Sequence, residues 1–294
     1  MPTLDSLRRN VATVESLQGI VRTMKTLAAV SIRQYEQAVA AVADYERAVR
    51  LGLAAVLGEA PLHLQSVPAA PGQREPIVGL VVFGSDHGLC GRFNEDLAEH
   101  SRAALAPFHA GGHRILAVGV RLAAVLANMG LMPEQTCYTP AAATGIVPTL
   151  RQLLPVLEEW RNTGMERLLL CQQRPQAGMR PTPQTLALLP LDPAAFHRPR
   201  PWPGRSRPGH YGDREKLLAT LLSEWLFIAF FRACAESLAS EHASRLLAMQ
   251  SAERHIEDQL TVLHTLYHQQ RQEAITTELL DVIVGFEALL GLSR

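Results

Sequence analysis

The first part of the chain repeats apolar side chains in a pattern that predicts one long helix. Residues 3–57 contain no proline, and the apolar positions recur at alternating steps of three and four residues. A 3.5-residue period sustained over more than seven heptads is typical of a left-handed coiled coil. We therefore predict an N-terminal coiled-coil helix over residues 1–58. Thirteen of its sixteen heptad positions are apolar, and the sixteen are Leu4, Leu7, Val11, Val14, Gln18, Val21, Lys25, Ala28, Ile32, Tyr35, Val39, Val42, Glu46, Val49, Leu53 and Val56.

The last part of the chain can supply the second strand of such a coiled coil. Residues 215–294 contain no proline and little glycine, which predicts a C-terminal coiled-coil helix. They carry 6 basic and 11 acidic side chains, whereas residues 1–58 carry 7 and 5, so the opposite net charges favour pairing of the two helices. Because an intervening domain separates the helices, we expect them to pair antiparallel. The same rhythm runs through Leu218, Leu221, Trp225, Ile228, Leu246, Met249, Ile256, Leu260, Leu263 and Tyr267, with interruptions at Arg232, His242 and Glu253.

Between the two helices the pattern changes to that of an α/β domain. Apolar stretches that alternate with helical patterns indicate a mostly parallel sheet, so we expect an inserted Rossmann-like domain, the foot, over residues 77–191. Residues 59–76 hold four prolines and indicate a linker, and residues 192–214, with five prolines and five arginines, indicate a loop. The predicted strands are 77–83, 114–120, 167–172 and 185–191, and the predicted helices are 93–105, one that ends near Met129, and 149–160.

Composition narrows the possible functions. The chain has 28 basic and 28 acidic residues and a pI near 7.2, which does not favour nucleic-acid binding. Its four cysteines stand at least 34 residues apart without a CxxC pair, so neither a structural zinc site nor a redox motif is expected. The longest strongly apolar stretch, Trp225–Phe231, is shorter than the roughly 20 residues of a membrane span. We expect a soluble protein without a direct membrane span.

The Gly-rich segment 84–91 is the first candidate for chemistry. It follows a predicted strand and precedes a predicted helix, where phosphate-binding loops occur, but it lacks GxxxxGK[ST] and GxGxxG and has no lysine near it. A tight turn is the simpler interpretation. Cys90 with His87 as its base, beside Asp86, would form a nucleophilic site only if the three side chains meet in space.

Two further groups of residues have weaker chemical interpretations. His264 and His268 stand one helical turn apart and could share a metal ion, but no HExxH arrangement accompanies them. The arginines of 192–214 could bind phosphate or an acidic surface, or be solvated. Because no constellation supports catalysis, we expect neither an enzyme nor a cofactor or metal site. A nucleotide-using α/β enzyme with a coiled-coil dimerisation arm and a coiled-coil adaptor remain as alternatives.

The C-terminal segment requires a partner. Residues 275–292 place apolar side chains on nearly every face of a helix, and a helix that is apolar all round is buried. If both long helices start level at the foot, the second extends roughly 35 Å beyond the first. Its own chain cannot cover this tip, so we expect another protein to enclose it.

Segments distributed over nearly the whole chain resemble a known family. Met24–Ala29 is similar to a Met-Lys-x-Val-Ala-Ala segment, and Ser85–Asn94 is similar to a Ser-Asp-Arg-Gly-Leu-Cys-Gly-Gly-Leu-Asn turn. Residues 239–249 and 271–279 resemble a C-terminal signature of the same family. These segments, in this order and spacing, resemble the γ subunit of the F-type rotary ATP synthase.

The resemblance implies a mechanical role rather than a chemical one. In that family the antiparallel helices form a central shaft inside a hexamer of α and β subunits. The α/β foot contacts a small ε subunit and the membrane rotor ring of c subunits, and rotation couples the flow of H⁺ or Na⁺ to ATP synthesis or hydrolysis. It also implies a peripheral location on the cytoplasmic face of the bacterial plasma membrane. By resemblance and by position in the tip, the expected partner contacts are Met24, Lys25, Arg245, Arg271, Gln272, Thr276, Glu278, Ile283 and Phe286.

The sequence departs from the family pattern at several positions. Val30-Ser31 stands where Ser-Lys is usual, and His87 and Arg92 stand where Arg and Gly are usual. The family's Glu-Ile-Val-Gly-Gly-Ala is replaced by residues 281–286, Asp-Val-Ile-Val-Gly-Phe. These differences are compatible with the alternate, sodium-type ATPase of bacteria.

Overall fold

The computed structural model describes residues 3–58, 77–108, 112–176, 179–191, 196 and 212–291, and it describes no side chains in 285–291. The predicted linker 59–76 and most of the predicted loop 192–214 therefore lie outside the described residues. The chain divides into two compact units. One consists of Met1–Leu27 with Leu246–Arg294, and the other of Ala28–Arg245.

Two long helices, α1 (Leu4–Gly58) and α5 (Arg214–Gly291), begin and end the described chain. The sixteen heptad positions of α1 are all buried or half-buried, and none is exposed. The ten apolar positions that the sequence assigns to the seam of α5 are likewise all buried or half-buried. The predicted 3.5-residue pattern is thus confirmed on both helices, because it identifies the face of each helix that is turned away from solvent.

Within each unit the two helices run antiparallel. In the unit of Ala28–Arg245, the cluster around Val49 and Leu53 packs on Leu218, whereas Tyr35 stacks on His242 with 5.7 Å between ring centroids. As the residue number falls along α1, its partner on α5 rises, which confirms the predicted orientation. In the unit that contains both termini, Lys25 pairs with Glu253, and Glu15 lies 4.0 Å from His264. The same antiparallel sense holds there.

A five-stranded sheet lies within the segment that the sequence predicts as the foot. Its strands are β1 (Ile77–Phe83), β2 (His113–Val118), β3 (Gln135–Cys137), β4 (Met165–Gln176) and β5 (Met179–Leu189). The spatial order is β3-β2-β1-β4-β5, with the first four parallel and β5 antiparallel at the edge. Order 3-2-1-4-5 is that of a Rossmann-like sheet, so the predicted fold class is confirmed.

Several predicted boundaries change for local reasons. The strand predicted at 114–120 ends at Val118, since Gly119 has a φ of 123° and Val120 already begins a helix. The sequence prediction missed β3, which has only three residues. Strand β5 begins at Met179, earlier than the predicted 185, because prolines are tolerated on an edge strand.

Helices cover both faces of the sheet. On one face α2 (Phe93–Leu105) and α3 (Val120–Asn128) pack on β1, β2 and β4 through residues such as Leu97 and Leu122. On the other face α4 (Ile146–Asn162) and the middle of α5 share a core. This second core includes Trp160, Phe230 and Leu238, together with Phe83 of β1. The sheet therefore rests directly on the middle of α5.

Among the described residues, one helix, α5, is long and apolar enough to cross a membrane. An 18-residue window of α5 has a mean hydropathy of 1.6, and 28% of it is buried inside the chain. The sequence prediction considered the unbroken apolar stretch Trp225–Phe231, whereas an average over 18 residues tolerates two charged side chains. Core helices of soluble proteins meet the same criterion, so it is weak evidence for a span. The absence of a direct membrane span stays a prediction.

Gly119 is required where β2 turns into α3. A Cβ there would lie 2.7 Å from the backbone N of Ser85 and 2.7 Å from its backbone O, and φ is +123°. We expect Gly119→Ala to lower the free energy of unfolding by about 3 kcal/mol, through backbone strain and overpacking. Gly130→Ala is the matched control, because Gly130 has a φ of +81° and no atom within 4 Å of its Cβ position. Denaturant unfolding should show that the control loses at most about 1 kcal/mol of its free energy of unfolding. Equal losses in the two variants would contradict the steric argument.

Candidate functional site

Two groups of residues, one in each unit, carry most of the sequence motifs. The signature cluster, in the unit of Ala28–Arg245, consists of the turn 84–94 and residues 236–245 of α5. The tip segment, in the other unit, consists of residues 271–284 of α5. The two groups differ in burial, since most of the signature cluster is buried and every residue of the tip segment is exposed.

Asp86 organises the turn that follows β1. One carboxylate oxygen accepts the backbone N–H of Val120 at 2.8 Å, at the start of α3. The other accepts the backbone N–H of Thr139 at 2.9 Å and its hydroxyl at 2.7 Å. The carboxylate thus joins the loops after β1, β2 and β3 and stabilises a helix N-terminus. Asp86 therefore has a structural role, because its carboxylate holds these three loops of the chain together.

Cys90 is not arranged as a nucleophile. It is 3% exposed, and its Sγ lies 3.8 Å from the hydroxyl of Ser85 and 3.7 Å from the backbone oxygen of His87. Burial raises the pKa of the Cys90 thiol, so the reactive thiolate is disfavoured. The His87 side chain is exposed. The structure therefore favours the interpretation of this segment as a tight turn.

The middle of α5 binds the carboxyl ends of the central strands. The Ser237 hydroxyl donates to the backbone oxygen of Phe83 at 2.6 Å, at the end of β1. The Ser240 hydroxyl donates to the backbone oxygen of Gln173 at 3.1 Å, in β4. Because Ser237 and Ser240 are fully or almost fully buried, these bonds satisfy polar groups that water does not reach. They fix α5 against the sheet.

Arg245 lies inside the signature cluster rather than on its surface. It is 7% exposed, and its guanidinium donates to Glu241 at 2.6 Å and to the backbone oxygen of Gly88 at 3.3 Å. The pKa of Glu241 is raised, because burial outweighs the opposite effect of Arg245. Arg245 therefore joins α5 to the turn. The structure holds one chain, so the expected contact of Arg245 with another subunit stays a prediction.

His242 is the residue of this cluster whose role the sequence did not indicate. Its ring stacks on Tyr35 of α1 with an interplanar angle of 14°. Burial, with a smaller effect of Arg245, lowers the pKa of His242 to about 4, so the ring is neutral at physiological pH. Its interruption of the apolar seam and its place in the segment 239–249 were the signals in the sequence, and neither reveals a stacking partner distant in the chain.

Met24 and Lys25, the expected contacts on α1, lie in the unit that contains both termini. Both are half-buried within the chain. The Lys25 ammonium pairs with Glu253 of α5, which also accepts a hydrogen bond from Arg22 at 3.1 Å. These two cations lower the pKa of Glu253, with Lys25 having the larger effect. Lys25 is thus engaged within its own chain.

The tip segment presents both polar and apolar side chains to solvent. Arg271, Gln272, Thr276 and Glu278, the expected polar contacts, are all exposed. Ile283 is 45% exposed, and the side chain of Phe286 lies outside the described residues. The other exposed large apolar side chains of the tip segment are Ile275, Leu279, Leu280, Val282 and Val284, at 51%, 57%, 55%, 71% and 63%. The structure therefore leaves this apolar surface uncovered, as the sequence predicts.

The described residues contain no group of three side chains suited to hold a metal ion. His264, one member of the candidate pair, is 47% exposed and lies 4.0 Å from Glu15. An exposed histidine beside a carboxylate on the partner helix fits a surface pair better than a metal centre.

Comparison with known proteins decides the family. The ATP synthase family model matches residues 3–289, nearly the whole chain. This chain belongs to the ATP synthase gamma family. An ATP synthase gamma chain of Magnetococcus marinus is 29% identical over 235 residues, which cover 73% of each protein.

Solved structures share the fold of this gamma-family chain. One is a chain of the OSCP/F1/c-ring assembly of the Euglena gracilis mitochondrial ATP synthase, with a TM-score of 0.66, 16% identity and coverage of 99% of this chain and 96% of that one. A chain of the rotor of the same enzyme has a TM-score of 0.61, 16% identity and coverage of 92% and 98%. At this identity the likeness supports the fold, and the family rests on the sequence match.

Proposed function

We propose that this chain is the central rotor shaft of a membrane-associated F-type ATP synthase or ATPase. Membership of the gamma family supports the role, and the exposed apolar tip segment is the structural observation that carries it. Such a surface is costly to leave in water, and a ring of α and β subunits around the shaft would cover it. A coiled-coil adaptor offers no reason for a tip that exposes six large apolar side chains between residues 275 and 284.

The shaft acts by differential contact and performs no bond chemistry. An asymmetric pair of helices presents a different surface to each surrounding catalytic subunit. Each subunit then settles in a different conformation with a different nucleotide affinity, which is a population shift driven by contact free energy. Rotation moves these contacts from one subunit to the next and so couples ion flow to ATP synthesis or hydrolysis. Met24, Lys25, Arg245 and the tip segment are the proposed contacts.

The foot is the proposed attachment to the rest of the rotor. By family membership it would contact an ε subunit and the membrane ring of c subunits, which places the chain on the cytoplasmic face of a bacterial plasma membrane. The departures at His87, Arg92 and 281–286 support an alternate, sodium-type enzyme. The coupling ion is selected in the membrane ring, so it is tested there and not in this chain.

An assembly experiment distinguishes the proposed rotor shaft from the alternative of an enzyme. We expect the purified chain to show no ATP hydrolysis, because no phosphate loop accompanies the α/β fold. Co-expressed with the α and β subunits of its own operon, it should co-purify in a complex that hydrolyses ATP. Native mass spectrometry should give one copy of the chain for three α and three β subunits. ATP turnover by the purified chain, or its failure to join the complex, would contradict the proposal.

A further inference from the structure

The charged residues that interrupt the apolar seam pair with one another across it. Lys25 and Glu46 are the two charged heptad positions of α1. Lys25 pairs with Glu253, and Glu46 accepts a hydrogen bond from Arg232 at 2.9 Å. Both partners are positions at which the seam of α5 is interrupted. The third polar heptad residue of α1, Gln18, carries no charge.

The spacing of the two pairs is the same on both helices. Lys25 and Glu46 are 21 residues apart on α1, and Arg232 and Glu253 are 21 residues apart on α5. Three heptads are 21 residues, so both pairs satisfy a single antiparallel alignment. The sign alternates, since the cation lies on α1 in one pair and on α5 in the other.

An alignment displaced by one heptad places these charges against apolar side chains, except that Glu253 would face Gln18 in one of the two displaced alignments. Position 25 would then face Leu246 or Leu260 instead of Glu253. An unpaired charge in an apolar seam is strongly disfavoured. The leucines, valines and isoleucines of the seam tolerate such a slip much better, because one apolar pair replaces another.

In the same displaced alignments, position 46 would face Trp225 or Ala239 instead of Arg232. The Glu46 side chain is 18% exposed and that of Glu253 is 15% exposed, so neither carboxylate is freely solvated where it lies. In both displaced alignments Glu253 therefore loses Lys25 and Arg22, while Glu46 loses Arg232 and keeps Arg50 of its own helix, at 3.2 Å.

We propose that the pairs Lys25–Glu253 and Glu46–Arg232 fix the axial register of α1 on α5 and act as positioning residues of the shaft. A slip of one heptad would move α5 along α1 by roughly 10 Å. The exposed side chains of the tip segment would move by the same distance relative to Met24. The inference concerns this chain alone and does not depend on the proposed function.

Disulfide formation in the full chain measures the register of α1 on α5 directly. Val21, Met249, Ile256 and Leu263 are all seam positions, and the last three are spaced by one heptad. The pairs of Arg22 with Glu253 and Glu257 place Val21 opposite Ile256. Val21→Cys with Ile256→Cys is the in-register probe, and Val21→Cys with Met249→Cys or with Leu263→Cys are the slip probes. Each of these variants is oxidised with diamide, and its disulfides are quantified by peptide mass spectrometry. The chain with its native cysteines alone is treated in the same way as a reference.

In the otherwise natural chain, the in-register disulfide should exceed each slip disulfide by about tenfold or more. Lys25→Leu with Glu253→Leu and Glu46→Leu removes both pairs and leaves Arg232 bound to Glu236 at 2.7 Å. Slip disulfides should then rise about tenfold, while circular dichroism shows an unchanged helix content. An unchanged disulfide pattern would overturn the proposal. Loss of helix content would also contradict it, since apolar replacements should keep the helices paired.

Two controls distinguish register from general stability. The exchange Lys25→Glu with Glu253→Lys keeps opposite charges across the seam and should keep the natural disulfide pattern. Slip disulfides as abundant as those of the apolar variant would overturn the proposal. Arg47→Ala removes an exposed pair with Asp44 that lies within α1, with side chains 69% and 89% exposed. This variant should keep the natural disulfide pattern. A rise in slip disulfides would show that the register depends on total charge rather than on these two pairs.

Discussion

Replacing Ile283 by aspartate is expected to reduce ATP hydrolysis by the assembled complex at least about tenfold. Ile283 is 45% exposed in this chain and lies among other exposed apolar side chains of the tip segment. If surrounding subunits enclose the tip, the new carboxylate is buried without a partner, which costs several kcal/mol or forces its protonation. The measurement is assembly yield and ATP turnover of the complex with α and β subunits.

Ile283→Asn is the matched control, because asparagine has nearly the size of aspartate without its charge. We expect a clearly smaller loss with asparagine, and a still smaller one on deletion of residues 289–294, which removes apolar contact but buries no charge. Normal assembly and turnover of the aspartate variant would show that the tip is not enclosed. Phe286→Asp extends the same test to the expected contact whose side chain is not described.

The long helices were predictable because their signal is repeated many times. Thirteen of the sixteen heptad positions on α1 are apolar, so the polar exceptions Gln18, Lys25 and Glu46 do not obscure the pattern. The strand β3 was not predictable in the same way, since three residues carry too little periodicity. Its pairing with β2 is decided by the surrounding fold.

The sequence did not reveal which way the signature residues face. Resemblance singled out Arg245 and Lys25 as partner contacts, but the structure pairs them with Glu241 and Glu253 of the same chain. Helical spacing brings Arg245 and Glu241 together, whereas Lys25 and Glu253 are 228 residues apart. A motif shows that a residue type is needed, and only the packing shows whether another subunit or the chain itself needs it.

Removal of the Arg245 guanidinium is expected to destabilise the chain more than any surface substitution. Arg245→Ala leaves the Glu241 carboxylate, whose side chain is 6% exposed, without its cation, and the backbone oxygen of Gly88 without this donor. Breaking a buried pair in this way costs about 3–5 kcal/mol. Thermal or denaturant unfolding of the purified chain measures the loss. Arg92→Ala is the matched control, because Arg92 makes only exposed pairs on α2 and should change stability by less than about 1 kcal/mol.

The dependence on pH shows whether the buried carboxylate causes the loss. The folded-state pKa of Glu241 is already raised by burial, and without Arg245 the largest effect that lowers it disappears. A carboxyl group whose pKa is higher in the folded than in the unfolded state takes up a proton on folding, so its contribution to stability improves as the pH falls. The loss caused by Arg245→Ala should therefore be smaller near pH 5 than near pH 8. Adding Glu241→Gln should recover much of the stability at pH 8 and remove this pH dependence, and a double variant as unstable as Arg245→Ala would show that the guanidinium acts through Gly88 or through packing instead.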